Sequence, residues 1–277
     1  MSKNFLVVIF ILFPFFLMAQ EENWDVYMAQ YENKPGSILL NLSLKSTAPI
    51  KTLPFVVISG VSFRNCDSIG MPDKREFTNL YRISDSVQAI VNSSVKNNLV
   101  GSFTYLCQRL DYFYVNDTTG LRQKLTTLYK TKFPLYIPYI NIKEDKNWTT
   151  YLNFLYPNEA TMEFMQNQKV ISALQKGGDK LIKARPVDHW LYFKTEADRN
   201  CFITYATKQQ FKIVAEEKTA NLIKAPFKLH LSRTDKVDAA SISRITLELK
   251  KQANQCNGEY DGWETFVVKQ LFHHVIK

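Results

Sequence analysis

Apolar residues in the second half of the chain recur with a helical period that repeatedly gives way to a period of two. Asn158 can cap a helix through Phe164, Ile171 and Leu174, and Gly177-Gly178 supply its left-handed stop. A strand over Pro186 to Phe193 follows. Thr195-Glu196-Ala197-Asp198 then has capping-box spacing, and Ala197, Cys201 and Tyr205 stack at four-residue steps behind it. Phe211 to Ala215 reads as a strand, and Ala225 to Arg233 as another, with Phe227, Leu229 and Leu231 alternating. Asp238 caps the longest helix, whose face carries Ile242, Ile245, Leu249 and Ala253; Gly258 ends it, and Thr265 to Val268 is predicted as the last strand.

The first half follows the same logic. Trp24 to Tyr31 and Ser37 to Leu44 predict a hairpin turned at Asn33-Lys34-Pro35-Gly36. Leu53 to Phe63 is a continuous apolar strand. Pro72-Asp73 opens a helix bearing Phe77, Leu80, Val87, Ile90 and Val91, and short strands follow over Gly101 to Gln108 and Asp111 to Val115. Asp117 is predicted to cap a second helix with Leu121, Leu125 and Leu128. Phe133 to Ile142 reads as a strand, and Trp148 to Tyr156 as an aromatic closing segment.

Both halves therefore run strand–helix–strand–strand–helix–strand. The predicted class is α+β: two tandem ferredoxin-like (split βαβ) sandwiches, each an antiparallel sheet with helices on one face. The domains divide as residues 23–157 and 158–277. Residues 1–20 read as a secretory signal peptide, because Lys3 precedes an apolar run from Phe5 to Met18 that ends in Ala19-Gln20. That run is short for a membrane span, and no later segment could cross a bilayer. The expected location is periplasmic or secreted.

The net charge of +9 comes from scattered Lys and Arg, the pattern of an ordinary basic protein more than of a nucleic-acid binder. The paired aromatics of RNA-recognition sheets are missing. Four cysteines, Cys66, Cys107, Cys201 and Cys256, show no metal-ligand spacing. Cys66 and Cys107 can bridge if their strands pair. The two helices of the second half are read as parallel, which separates Cys201 from Cys256 by about 15–20 Å, beyond disulfide reach. Cys201 is then core and Cys256 a partly buried free thiol.

Candidate chemistry gathers in Asp188-His189-Trp190, in Arg233 with Asp235, and in Gly258-Glu259-Tyr260-Asp261-Gly262-Trp263-Glu264. Asp261-Gly262 signals a tight turn or bulge, and Trp263 between carboxylates reads as a binding lip. Together with the Gly178-Asp179 pair, Phe193 and Ser232-Arg233-Thr234-Asp235, these runs resemble the regulator of ribonuclease activity B family, over roughly Glu159 to Lys269. The resemblance implies a non-catalytic protein that binds and restrains an RNA-degrading endonuclease. Cys66 to Pro72, Phe113 to Asp117 and Asp145 to Trp148 with Tyr151 and Leu155-Tyr156-Pro157 resemble the bacterial domain of unknown function 695.

Asp188 and His189 are strand neighbours that point to opposite faces, so the carboxylate cannot readily orient the imidazole as a base. Asp261 and Glu264 have the residue types of a glycosidase acid/base pair, and a hydrogen bond to Arg233 is the competing structural role. His273-His274 reads as a charged tail. No cofactor, metal or catalytic residue is expected. The protein-binding candidates are Asp188, His189, Trp190, Arg233, Asp235, Tyr260, Asp261, Trp263 and Glu264, with Gly178, Gly258 and Gly262 as structural turns. The expected partner is a protein. The leading reading is an exported, non-enzymatic binding protein; the alternatives are a cytoplasmic inhibitor of an RNase E-type endoribonuclease and a hydrolase using Asp261 and Glu264.

Overall fold

The computed structural model describes residues 22–219 and 224–269. The expected signal peptide at residues 1–20 and the His273-His274 pair lie outside the described residues. Two compact units divide between Tyr156 and Pro157, and both mix helices with an antiparallel sheet.

The first unit opens with a hairpin of β1 (Trp24–Tyr31) and β2 (Lys34–Asn41). Its turn is Glu32-Asn33, both at positive φ, as a two-residue hairpin loop requires; Pro35 and Gly36, predicted in the turn, already pair with β1. Then come β3 (Phe55–Ser62), α1 (Glu76–Ser94), β4 (Asn97–Tyr105), β5 (Gln108–Val115), α2 (Leu121–Lys132), β6 (Ile137–Glu144) and a π-helical turn at Thr150–Leu155. Asp117 does not cap α2. Its carboxylate accepts from Thr118 N and Thr119 N, and the helix starts after Gly120 at φ 70°.

The six strands run in the order β1-β2-β4-β5-β3-β6. Val57 and Phe113 face α1 and α2 in a core with Val61, Leu80, Ile83 and Leu125. Val56 and Tyr114, their neighbours, face the other way and are also fully buried. Trp148 stacks on Tyr114 at 4.0 Å and donates its indole N–H to Leu53 O, while Tyr151 donates to Asn41 O. Helices were expected on one face only; the aromatic segment after β6 closes the second. Cys66 and Cys107 form a disulfide, with Cα atoms 5.7 Å apart.

The second unit contains α3 (Glu159–Lys176), β7 (Arg185–Phe193), α4 (Glu196–Lys208), β8 (Lys212–Lys218), β9 (Phe227–Asp235), α5 (Ala239–Gln255) and β10 (Gly258–Glu264). Asn158, Thr195 and Asp238 cap the three helices, each accepting a backbone N–H three residues on. The sheet order is β10-β7-β9-β8. Leu191, Phe193, Leu229 and Leu231 meet Phe202, Ala206, Ile245 and Leu249 beneath α4 and α5. A second cluster joins Ile171 and Leu174 of α3 to Val187, Ile242 and Trp263.

Two expectations fail here. The last strand is Gly258–Glu264, not Thr265 to Val268. A register shift between Tyr260 and Gly262 inserts Asp261 as a bulge, so the inward positions Tyr260 and Trp263 fall three apart and period-two reading breaks. The second failure concerns Cys201 and Cys256, which are bridged, with Cα atoms 5.9 Å apart. β7 and β8 both run antiparallel to β9. The helix returning from β7 to β8 therefore opposes the helix returning from β9 to β10, and the early part of α4 lies beside the end of α5.

Candidate functional site

β7 sorts its residues by face. His189 points inward and is fully buried. Its Nδ1 lies 2.9 Å from the Tyr260 hydroxyl, and its ring meets Phe211 edge-on. Burial, aided by the Arg233 charge, lowers its pKa to about 3, so the imidazole is neutral. Asp188 points outward, and its Oδ1 lies 3.0 Å from His230 Nε2. Trp190 stacks on the same His230 ring, with centroids 4.8 Å apart and planes within 13°. The Asp188-His189 pair is thus split across the sheet, and the outward cluster is Asp188, His230 and Trp190. His230 was not singled out from the sequence, although Leu229 and Leu231 point inward and place it outward by alternation.

Trp263, expected at a lip, is buried at 7% exposure. Its indole N–H donates to Asn167 Oδ1 at 2.8 Å, and Asn167 Nδ2 donates to Thr246 Oγ1 at 2.9 Å. This buried network ties β10 to α3 and α5, a structural duty. Tyr260 is half-buried against the core. Arg233 does not reach Asp261 or Glu264. It lies two strands from β10, sits 3.9 Å over the Phe211 ring, and donates to Asp235 and to Gln209 O. Arg233 and Asp235 therefore belong to a separate place on the unit.

The Gly178-Asp179 run does more than stop a helix. Gly178 adopts φ 91° after α3. Asp179 then forms a buried bidentate pair with Arg185 and accepts from Leu181 N and Val268 N. The guanidinium holds the Asp179 carboxyl well below the usual carboxylate range. Arg185 also donates to Phe266 O, so this pair pins the residues after β10 without making them a strand. Gly258 is required by packing, since a Cβ there would lie 2.3 Å from the Phe193 ring. Gly262 supplies the φ of 140° that the bulge needs.

What remains outward is an acidic edge. β10 is the last strand of its sheet. Glu259, Asp261 and Glu264 are exposed on it, and Glu264 lies directly across from Asp188, a like-charge juxtaposition that costs stability. Between this edge and α3 runs a groove of ≈ 530 Å³ lined by Gln166, Asn167, Trp190, Asp261, Gly262 and Glu264. Asp261 and Glu264 are both exposed to solvent, on either side of Gly262 and the buried Trp263. Among the described residues no group of three His, Cys, Asp or Glu side chains is placed to hold a metal ion, and no helix is long and apolar enough to cross a membrane.

No curated protein matches the chain. Among solved structures, the crystal structure of an unknown protein from Galdieria sulphuraria is 10% identical over 77% of this chain and 99% of its own, with a TM-score of 0.22, too low to bear on the fold. Two family models match in tandem: residues 22–156 match a family of unknown function, DUF695, and residues 164–265, which hold the acidic edge, match the regulator of ribonuclease activity B.

Proposed function

We propose that the protein is an exported, non-catalytic regulator built from two ferredoxin-like units, and that the second unit captures a protein partner on the edge formed by β10 and the outward side of β7. The observation that carries the reading is the half-buried, outward-facing Asp188–His230–Trp190 cluster beside the exposed carboxylates of β10, in the half that matches a regulator family. The strand orders β4-β5-β3-β6 and β10-β7-β9-β8 support the paired architecture, since each is the order of a split βαβ unit. Two disulfides support export, because such bonds persist outside the reducing cytosol. His189, Tyr260 and Trp263 leave the binding set and act as its scaffold.

The test is partner capture by crosslinking in the native host. Trp190→Ala is expected to weaken capture about tenfold or more, as loss of an aromatic anchor does, while Lys208→Ala on an exposed helix end leaves it unchanged. Equal effects would sink the interface. The family match favours a second reading, a cytoplasmic inhibitor of an RNase E-type endoribonuclease. A mature chain starting at Gln20 or Glu21 in the envelope fraction excludes it.

A further inference from the structure

We infer that the groove between α3 and β10 takes an extended, lysine- or arginine-bearing segment of the partner, which adds to β10 as a fifth strand. The inference rests on the protein-binding reading of this edge and names the partner's chemistry. Among the described residues β10 pairs with β7 alone, so the outer side of its backbone meets no described strand. Edge strands of this kind are normally guarded by lysines. β8, the opposite edge, carries Lys212 and Lys218. β10 carries no basic residue, and its three charges, Glu259, Asp261 and Glu264, are all acidic. Among the described residues none of the three has an ion-pair partner, in a chain whose net charge is +9.

The groove suits a strand. The groove lies between residues of α3 and the edge strand β10, and peptide recognition by strand addition uses such a sheet edge: backbone hydrogen bonds give affinity and alternate side chains give selectivity. Gly262 has no side chain, so the groove opens onto Trp190 at the middle of β10 and offers an apolar landing between Asp261 and Glu264. Alternating cationic and apolar residues would then meet the β10 carboxylates and the Trp190 indole in turn, while the lysines of the lining, Lys169 and Lys250, stand on the helices across from that strand, Lys250 paired with Glu163. A second copy of this chain is a poor occupant, because β10 against β10 would set acidic residues on acidic residues.

The experiment uses the full chain with ¹⁵N label and an eight-residue peptide alternating Lys and Val, blocked at both ends. Two controls are the same peptide with Glu for Lys, and the same peptide with alternate amides N-methylated. The Lys peptide is expected to move the amides of Gly262 to Glu264 and the Trp190 indole, and the Glu peptide to leave them still. N-methylation, and separately Asp261→Lys with Glu264→Lys, are each expected to weaken binding about tenfold or more. Both residues are exposed, and Glu264→Lys removes the like charge facing Asp188, so the unfolding midpoint should not fall. Equal binding of the N-methylated peptide overturns strand addition while leaving the acidic edge as a partner site. Failure of the Lys peptide to shift β10 overturns the inference. Loss of the underlying reading shows elsewhere, in unchanged partner capture by Trp190→Ala.

Discussion

The two sheets share a kernel and differ in what covers them. β4-β5-β3-β6 and β10-β7-β9-β8 have the same antiparallel order, and each packs two helices on one face. In the first unit the opposite face is closed by Trp148, Tyr151 and Leu155, all fully buried. In the second the opposite face presents Asp188, Trp190 and His230, none of them buried. A hydrophobic closing segment makes a sheet inert toward partners, whereas a polar, aromatic outer face leaves one available. The added element in the second unit, α3, packs beside β10 and not over that face, through Trp263 and Asn167. The difference leaves this face of the second unit open to solvent, while the corresponding face of the first is filled by its own chain.

The largest expected effect comes from opening the closed face. Trp148→Ala removes a fully buried indole, its stack on Tyr114 and its hydrogen bond to Leu53 O. A loss of about 3–5 kcal/mol is expected from such a truncation, read as an earlier denaturant transition in the first unit by hydrogen exchange. Protection of the second unit should be unaffected. A loss below about 1 kcal/mol would mean that the aromatic segment is only a surface strap.

Acid should divide the units. His189 is held neutral by burial in the second unit, with Tyr260, Arg233, Asp188 and His230 as its polar neighbours. Its folded pKa, about 3, lies below the ordinary value of about 6.5. The unfolded chain therefore binds the extra proton first. Stability is fully present above the ordinary value and is lost as pH falls toward the folded one, at up to about 1.4 kcal/mol per pH unit. In the first unit, burial raises the Asp111 carboxyl. Its contribution has the opposite sign: present at low pH and lost as pH rises through the folded pKa. Between neutral pH and the mildly acid range, exchange protection should fall in the second unit and not in the first. Parallel slopes would mean that His189 is solvated or Asp111 ionised.

Much of this was legible in the sequence, and the gaps have physical causes. The caps Asn158, Thr195 and Asp238 were readable because a side-chain oxygen before an apolar period has one dominant use. The inward alternation of Leu229 and Leu231 was readable too, yet His230 between them was passed over, because its partners Asp188 and Trp190 come from a strand 40 or so residues away. β10 was misplaced because the bulge at Asp261 adds one residue to the period and moves Trp263 from outward to inward. The Cys201–Cys256 bridge was missed through the relative direction of two helices, a property of strand order and not of local pattern. The Asp179–Arg185 pair was half visible: Gly178-Asp179 stood out, but a buried guanidinium six residues on carries no local signature.

The smallest stability effect should accompany the largest functional one. Trp190 lies half-exposed on the outward face, stacked on His230 with no hydrogen bond from its indole among the described residues. Trp190→Ala leaves the core beneath α4 and α5 untouched, since its strand neighbours His189 and Leu191 do that packing. Loss of one aromatic stack is worth about 0.5–1.5 kcal/mol beyond area burial, so thermal unfolding should move by only a few degrees. Against Trp148→Ala the ranking must invert between assays: small in unfolding and large in partner capture for Trp190, the reverse for Trp148. If Trp190→Ala unfolds the second unit as readily as Trp148→Ala unfolds the first, then the outward face is a second core and the contrast between the sheets disappears.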